Sequence, residues 1–342
     1  MKNFDQWLKN SILECGGLSA ACLDLNSLSL QNQLQLNGAK SQNWIDSGYA
    51  GDMSYLQRMQ EDKINPQQAF PGAQSVIVIT YKNKWGLPEA THPFPNPRPG
   101  KLTGYISSYA KEQDYHRTGQ QILDKLHKKL QDQFGEFSAQ AAVDTKPVFE
   151  RLLAVLGGLG IRGPNDLLRT PEENVRVFIG SLFCNIELPE VIHTAKMPYP
   201  CEHCQNCLEN CPTGAIQKGR DFDSTKCISY LTIEKKGTLS AAERIMMEDW
   251  LFGCDWCSVV CPPKDKEDSR IPIELEWILK TSAGEIRRTI KGTAIEYAGV
   301  TKLRRNAVAI LRQNQTMEAQ DLLKWAQDNL KSQMVLEQIS CV

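Results

Sequence analysis

The residues best equipped for chemistry are cysteines. The chain carries twelve, and eight of them fall between Cys201 and Cys261. The run CEHCQNCLENCP places Cys201, Cys204, Cys207 and Cys211 at spacings of three, three and four, with Pro212 next. This C-x2-C-x2-C-x3-C-P order is that of bacterial ferredoxins. Thiols three apart on a tight loop can reach three corners of one iron–sulfur cube. The fourth leaves on a helical turn toward another cube. CDWCSVVCPP adds Cys254, Cys257, Cys261 and Pro262, with Cys227 upstream in CISYLTIE. The crossing expected of such runs assigns Cys201, Cys204, Cys207 and Cys261 to one 4Fe-4S cluster. Cys211, Cys227, Cys254 and Cys257 then hold the second. Two zinc ribbons would use paired C-x2-C knuckles and leave the triplet at 201–207 and both Cys-Pro pairs unexplained. Cys15, Cys22, Cys184 and Cys341 are scattered and read as ordinary thiols.

Bulk properties narrow the setting. The chain has 342 residues with 41% hydrophobic and 23% charged, values of a soluble globular protein with two or three domains. Formal net charge is −1, so no global field attracts nucleic acid or membrane. No apolar run approaches a membrane span. The N-terminus MKNFDQWLKNSILECGG lacks a signal peptide's apolar centre and reads as an amphipathic helix of a cytoplasmic protein. Clustered thiols in a reducing compartment point to metal rather than disulfides.

The elements that must position these residues fall into three stretches. Residues 1–195 read as an α/β domain. SVIVITY (75–81) is a buried strand by its unbroken β-branched run. GQQILDKLHKKLQDQF spaces Ile122, Leu126, Leu130 and Phe134 four apart, which predicts an amphipathic helix. FSAQAAVDT reads as a strand ending at a polar tip, and residues 174–188 hold another strand. The proline-rich 86–101 is a surface loop. Residues 196–265 form the cluster domain; large apolar residues look sparse there, so the clusters are expected to serve as its core. From 266 to 342 short amphipathic helices follow. Within 280–312 eight Lys or Arg stand against two Glu. That surplus reads either as a solvated helix face or as the surface for an anionic partner.

Beyond the cysteines, several strings resemble the epoxyqueuosine reductase family, and they do so in the right order over most of the chain. These are GYISSYAKEQDYHRTGQQILDKL, VDTKPVFER, CPTGAI with CISYLTIEKKG and GCDWCSVVCPP, and GTAIEYAGVTKLRRNAVAIL. The resemblance implies an α+β fold: an N-terminal α/β cobalamin-binding, nitroreductase-like domain, a bacterial-ferredoxin-like two-cluster domain, and a C-terminal helical, HEAT-like domain. It implies an oxidoreductase that reduces epoxyqueuosine to queuosine at the wobble position of tRNA. Cobalamin would be fed by two 4Fe-4S clusters, which an external flavodoxin or ferredoxin system reduces.

The resemblance also assigns residues. Asp144 of VDT is the expected proton donor, and desolvation over an apolar macrocycle should raise its pKa. Asp114, Tyr115 and His116 are expected to line the cofactor pocket together with Asp144, and Ser229 and Tyr230 to lie near the corrin or substrate. Cobalamin is expected to bind without a protein imidazole, since D-x-H-x-x-G is absent. Arg287, Arg288, Lys302, Arg304 and Arg305 are expected to hold tRNA phosphates. Three places depart from the family pattern: GIRGPNDLLRTPEE at 160–173, where Pro164 and Asp166 replace its lysine and a small residue; Lys146; and Trp256. The first two are expected near the cofactor pocket, where they would bear on substrate choice. A cytosolic reductase of a halogenated or other small molecule, and a plain electron carrier, are the alternative readings.

Overall fold

The computed structural model describes residues 4–82, 93–111, 113–198, 201–217, 219, 222–262 and 270–341. Of the proline-rich loop, residues 86–92 lie outside the described residues, His92 among them.

Among the described residues, nine strands form three sheets. They are β1 (Ser19–Asp24), β2 (Ser75–Tyr81), β3 (Thr103–Ile106), β4 (Ala139–Ala142), β5 (Ile161–Arg162), β6 (Leu168–Arg169), β7 (Phe178–Cys184), β8 (Trp250–Phe252) and β9 (Ile271–Glu274). The main sheet has the order β1-β2-β7-β4, and every pairing in it is antiparallel. All seven residues of β2 are buried. Alternation sends Ile77, Ile79 and Tyr81 to one face and Val76 and Val78 to the other. Helices cover both faces. Phe4–Cys15 and Tyr115–Phe134 pack on the first through Leu8, Ile12, Leu123, Leu126 and Leu130. Leu28–Asp46 and Glu150–Leu156 pack on the second through Leu30, Leu34, Leu153 and Ala154. Each of these larger aliphatic side chains contributes roughly 1.5–3 kcal/mol by leaving water.

A third core extends across the boundaries drawn from sequence at 195 and 265. Strand β3 pairs in parallel with β8 and antiparallel with β9. One apolar cluster joins Phe94, Ile106 and Ala110 to Leu231, Met247, Leu251 and Phe252 and to the C-terminal helices, through Leu303, Ile310 and Leu322. The expectation that 196–265 lacks large apolar residues therefore fails for 228–252. That stretch packs on the helical region. The stretch 272–280, read from sequence as helix, is β9 followed by the helix Leu275–Lys280. The later helices are Ala283–Ile290, Gly299–Leu311, Met317–Asn329 and Gln333–Ser340.

Candidate active site

Three side chains meet where the helix Tyr115–Phe134 begins and β4 ends. Asp114 caps the helix, accepting from the His116 amide at 3.0 Å and meeting His116 Nδ1 at 2.7 Å. Its negative charge suits the positive end of the helix dipole. Tyr115 donates its hydroxyl to Asp144 Oδ2 at 2.7 Å, and His116 Nε2 lies 3.2 Å from the same oxygen. Tyr115 is fixed by stacking on Phe178, with centroids 4.3 Å apart, and on His116 at 4.1 Å. Both ring nitrogens of His116 thus face carboxylates.

Asp144 occupies a strained turn. Its φ is +55°, and Thr145 N–H donates to Val143 O at 2.5 Å across it. Aspartate tolerates this left-handed region better than most residues, and such strain gathers at functional sites. The Asp144 amide donates to Glu150 Oε1 at 2.7 Å. The Asp144 side chain is 58% exposed.

The electrostatics correct one expectation. Desolvation pushes Asp144 upward, but the hydrogen bonds from His116 and Tyr115 outweigh it, leaving its carboxyl below the usual range. Asp144 is the anion of the group rather than its stored proton. Desolvation pulls His116 down, while Asp114 and then Asp144 raise it, for a net value of about 9. His116 is the group that stays protonated near neutrality. Beneath the turn, desolvation and then the Asp144 charge push Glu150 up to about 8.

A second polar pole comes from other elements. Tyr297 donates to Glu234 Oε2 at 3.2 Å, and Tyr55 also hydrogen-bonds Glu234. Tyr55 and Tyr297 both lie within electrostatic reach of Asp144. Glu234 ends a wide π-helical turn, Tyr230–Glu234, a form common at functional sites. Its carboxyl is raised, chiefly by desolvation. The sequence reading missed Tyr55, Tyr109, Glu150, Glu234 and Tyr297. Glu150 and Glu234 sit inside the quoted VDTKPVFER and CISYLTIE, which were the available signals. Tyr55 had none. Of the two residues expected near the corrin or substrate, Ser229 hydrogen-bonds the Cys227 sulfur, and the buried Tyr230 accepts from Asp52 N–H at 2.8 Å through its hydroxyl.

Cys207 lies within electrostatic reach of Cys261, Cys204 and Cys201, and these four line one cavity with Gly163, Pro164, Asn165 and Arg169. Cys257 lies within electrostatic reach of Cys227, of Cys207 in that first group, and of Cys211, and Cys254 of Cys257 and Cys227. Among the described residues no three of these side chains are yet placed to hold a metal ion. Backbone amides of Thr213, Ala215 and Ile216 point at Cys211, and those of Ser229 and Tyr230 at Cys227. Such N–H donors around thiolates fit an anionic cluster. Asp255, between Cys254 and Trp256, accepts from Ser107 Oγ and from Ser108 N–H at 2.8 Å. The ISSYA segment thereby ties the second set to the acid group. Tyr109 of that segment feels both Cys227 and Asp144, and it contacts Tyr115 and Phe178 edge-on.

In the departure at 160–173, Gly163, Pro164, Asn165 and Arg169 line the first sulfur cavity, while Asp166 pairs at 2.5 Å with Arg151, whose charge reaches Asp144. Arg162 also holds Asp166. Lys146 is exposed, two residues beyond Asp144. Trp256 donates to Glu248 Oε2 at 2.9 Å and lies under the Arg270 guanidinium.

The basic residues divide. Arg287 and Arg288 are exposed on the helix Ala283–Ile290 and border a cavity of about 330 Å³ with Lys291, Glu296 and Val300. Arg305 cannot reach a phosphate, being fully buried and donating to Lys235 O at 2.8 Å, Gly237 O at 3.0 Å and Leu231 O at 2.6 Å. Arg304 donates to Ile278 O and Thr281 O, and Lys302 to Ile233 O and Glu234 O. These three hold carbonyls at the ends of neighbouring elements. Three of the eight basic residues counted in 280–312 thus hold backbone carbonyls, and Arg305 does so fully buried.

An acid group beside a region with eight clustered cysteines fits an iron–sulfur oxidoreductase. A family model described as a 4Fe-4S double cluster binding domain matches residues 200–264. Another, described as epoxyqueuosine reductase QueG, DUF1730, matches residues 63–145. The epoxyqueuosine reductase of Francisella cf. novicida is 32% identical over 279 residues, covering 78% of this chain and 77% of its own. The structure of epoxyqueuosine reductase from Streptococcus thermophilus matches with a TM-score of 0.81 at 21% identity, over 98% of this chain and 88% of the other. An epoxyqueuosine reductase crystallised with an epoxyqueuosine-modified tRNA-Tyr stem loop matches with a TM-score of 0.75 at 20% identity, over 99% and 97%. This chain belongs to the epoxyqueuosine reductase family.

Proposed function

We propose that the protein reduces epoxyqueuosine to queuosine in the anticodon loop of tRNA, in the cytoplasm. A low-potential flavodoxin or ferredoxin supplies electrons through the two 4Fe-4S clusters. The observation that carries this reading is the acid group and its link to the second cysteine run: Tyr115 and His116 converge on Asp144 Oδ2, and the ISSYA segment packs Tyr109 on Tyr115 while Ser107 and Ser108 hold Asp255. A plain electron carrier has no use for such a group.

The overall step consumes two electrons and two protons. The epoxide C–O bonds break, the alkene forms and the oxygen leaves as water. Cobalamin, when bound, supplies the low-potential cobalt that takes the electrons to the substrate. Asp144, Tyr115 and His116 would border the corrin; both ring nitrogens of His116 are engaged by Asp114 and Asp144.

The protein's own part is proton handling and positioning. His116, protonated near neutrality, passes its proton through Oδ2 of the exposed Asp144 to the departing oxygen, and Tyr115 fixes the Asp144 rotamer. Glu150 holds the strained turn through the Asp144 amide. Glu234 with Tyr55 and Tyr297 offers hydrogen-bond partners to substrate hydroxyls across the cleft. Arg287 and Arg288 meet backbone phosphates of the tRNA. Their helix leads into Gly292, whose carbonyl accepts from Asp114 N–H at 2.8 Å, so the docking surface adjoins the acid group.

The test is conversion of an epoxyqueuosine-bearing anticodon stem loop by anaerobically reconstituted protein, read by mass spectrometry. Wild type is expected to form queuosine. Asp144→Asn is expected to slow this by about 10²–10⁴-fold, the range for a lost general acid, with iron content unchanged. No conversion by fully loaded wild type overturns the substrate. Near-normal turnover by D144N overturns the role of Asp144.

A further inference from the structure

Arg169 ends β6 and is only 1% exposed. Its planar guanidinium reaches both cysteine runs at once. Nη1 donates to Cys201 Sγ at 3.5 Å, and Nη2 to the Pro262 carbonyl at 2.8 Å. Nε donates to Asn174 Oδ1 at 2.8 Å. Asn174 in turn donates through Nδ2 to the Cys261 carbonyl at 3.1 Å, and its Oδ1 lies 3.3 Å from Cys261 Sγ. The first and the last thiol of one four-sulfur set are thus gripped by one cation and its amide partner. The Arg169 charge also favours the thiolate form of Cys261.

A brace for the two loops could be built from neutral groups. An arginine adds a charge that no accessible pH removes and a fork that a lysine lacks. Three levers on an iron–sulfur potential are net charge, hydrogen bonds to sulfur and solvent exposure. Arg169 works on the first two from a site with almost no solvent screening. Reduction adds one electron from a low-potential donor and changes no bond or proton, so the reduced cluster carries one more negative charge. A fixed cation beside it favours that state. The contacts named above all fall on Cys201, Cys261 and their loop, and none on Cys211, Cys227, Cys254 or Cys257.

We infer that Arg169 selectively raises the midpoint potential of the cluster held by Cys201, Cys204, Cys207 and Cys261, setting it apart from its neighbour. The inference needs the clusters but not the tRNA substrate. Anaerobic redox titration with dithionite, followed by electron paramagnetic resonance, tests it on the reconstituted chain, Arg169→Gln and Arg169→Lys, after iron and sulfide are assayed. R169Q is expected to lower one midpoint by a tenfold shift in the reduction equilibrium or more, about 59 mV for one electron, and to leave the other in place. R169K keeps the charge and is expected to give a smaller fall. If R169Q alone loses iron, R169K decides: a lowered midpoint supports the inference and an unmoved one overturns it. Two unmoved midpoints in iron-replete R169Q overturn it. Loss of about four iron atoms from both variants also overturns it, making Arg169 a brace and nothing more.

Discussion

Two donors converge on a single oxygen of Asp144, and that decides which residue of the group stores the proton. Tyr115 and His116 both favour the carboxylate, so Asp144 stays anionic and His116 carries the charge near neutrality. The linkage signs follow. His116 has its pKa raised, so its pairing stabilises the fold fully below its ordinary value of about 6.5 and loses that contribution as pH rises through about 9. Asp144 is lowered, so its contribution is present above its ordinary value and fades as pH falls through the depressed one. Activity should therefore decline on a basic limb near pH 9. Asp114→Asn removes the larger of the two attractions on His116 and should move that limb down by one unit or more in a pH profile of kcat/KM. An unmoved limb would mean that another group titrates there. The sequence located this triad, since D-Y-H and VDT were both legible. Its protonation pattern was not, because that depends on which oxygen each donor meets in space.

At the scale of elements, the helix Gly299–Leu311 holds the site in register from the inside. Arg305 and Asn306 donate to carbonyls of 231–237 and to Leu251 O, locking the π-helical turn and β8 to one helix face. Arg305→Ala would strand buried carbonyls of Leu231, Lys235 and Gly237. It should destabilise the protein by about 3–5 kcal/mol, on the scale of one to three per orphaned group. Arg288→Ala should change stability by about 0.5 kcal/mol or less. It should instead lower tRNA affinity and reduce the salt slope by about one. Denaturant unfolding and binding across a salt series separate the two; an R305A protein as stable as wild type would remove the internal role. Composition alone could not make this division. Arg287 and Arg305 look alike in a charge count, and only burial distinguishes a phosphate contact from a carbonyl clamp.

Across the whole molecule, the chain's chemistry was more legible than its boundaries. Cysteine spacing carried the double-cluster domain that the family model matches at 200–264, because ligand geometry is local and each run spans about ten residues. The buried strand β2 and the helix Tyr115–Phe134 were legible through their periodicity. The core that joins Ile106 to Phe252 and Leu303 was not, because its contacts lie far apart along the chain and no short-range pattern announces them. Nor was the destination of the 160–173 departure, which lines the first sulfur cavity and reaches Asp144 through the pairing of Asp166 with Arg151. The same long-range core brings the ISSYA segment against Asp255 and packs Tyr109 on Tyr115 and Phe252. The account thus rests on eight thiolates building a two-cluster relay that ends at an acid group. Iron and acid-labile sulfide assayed on anaerobically reconstituted protein test this most directly. About eight of each per chain are expected, with no stoichiometric zinc. About four of each, or zinc in place of iron, would contradict it.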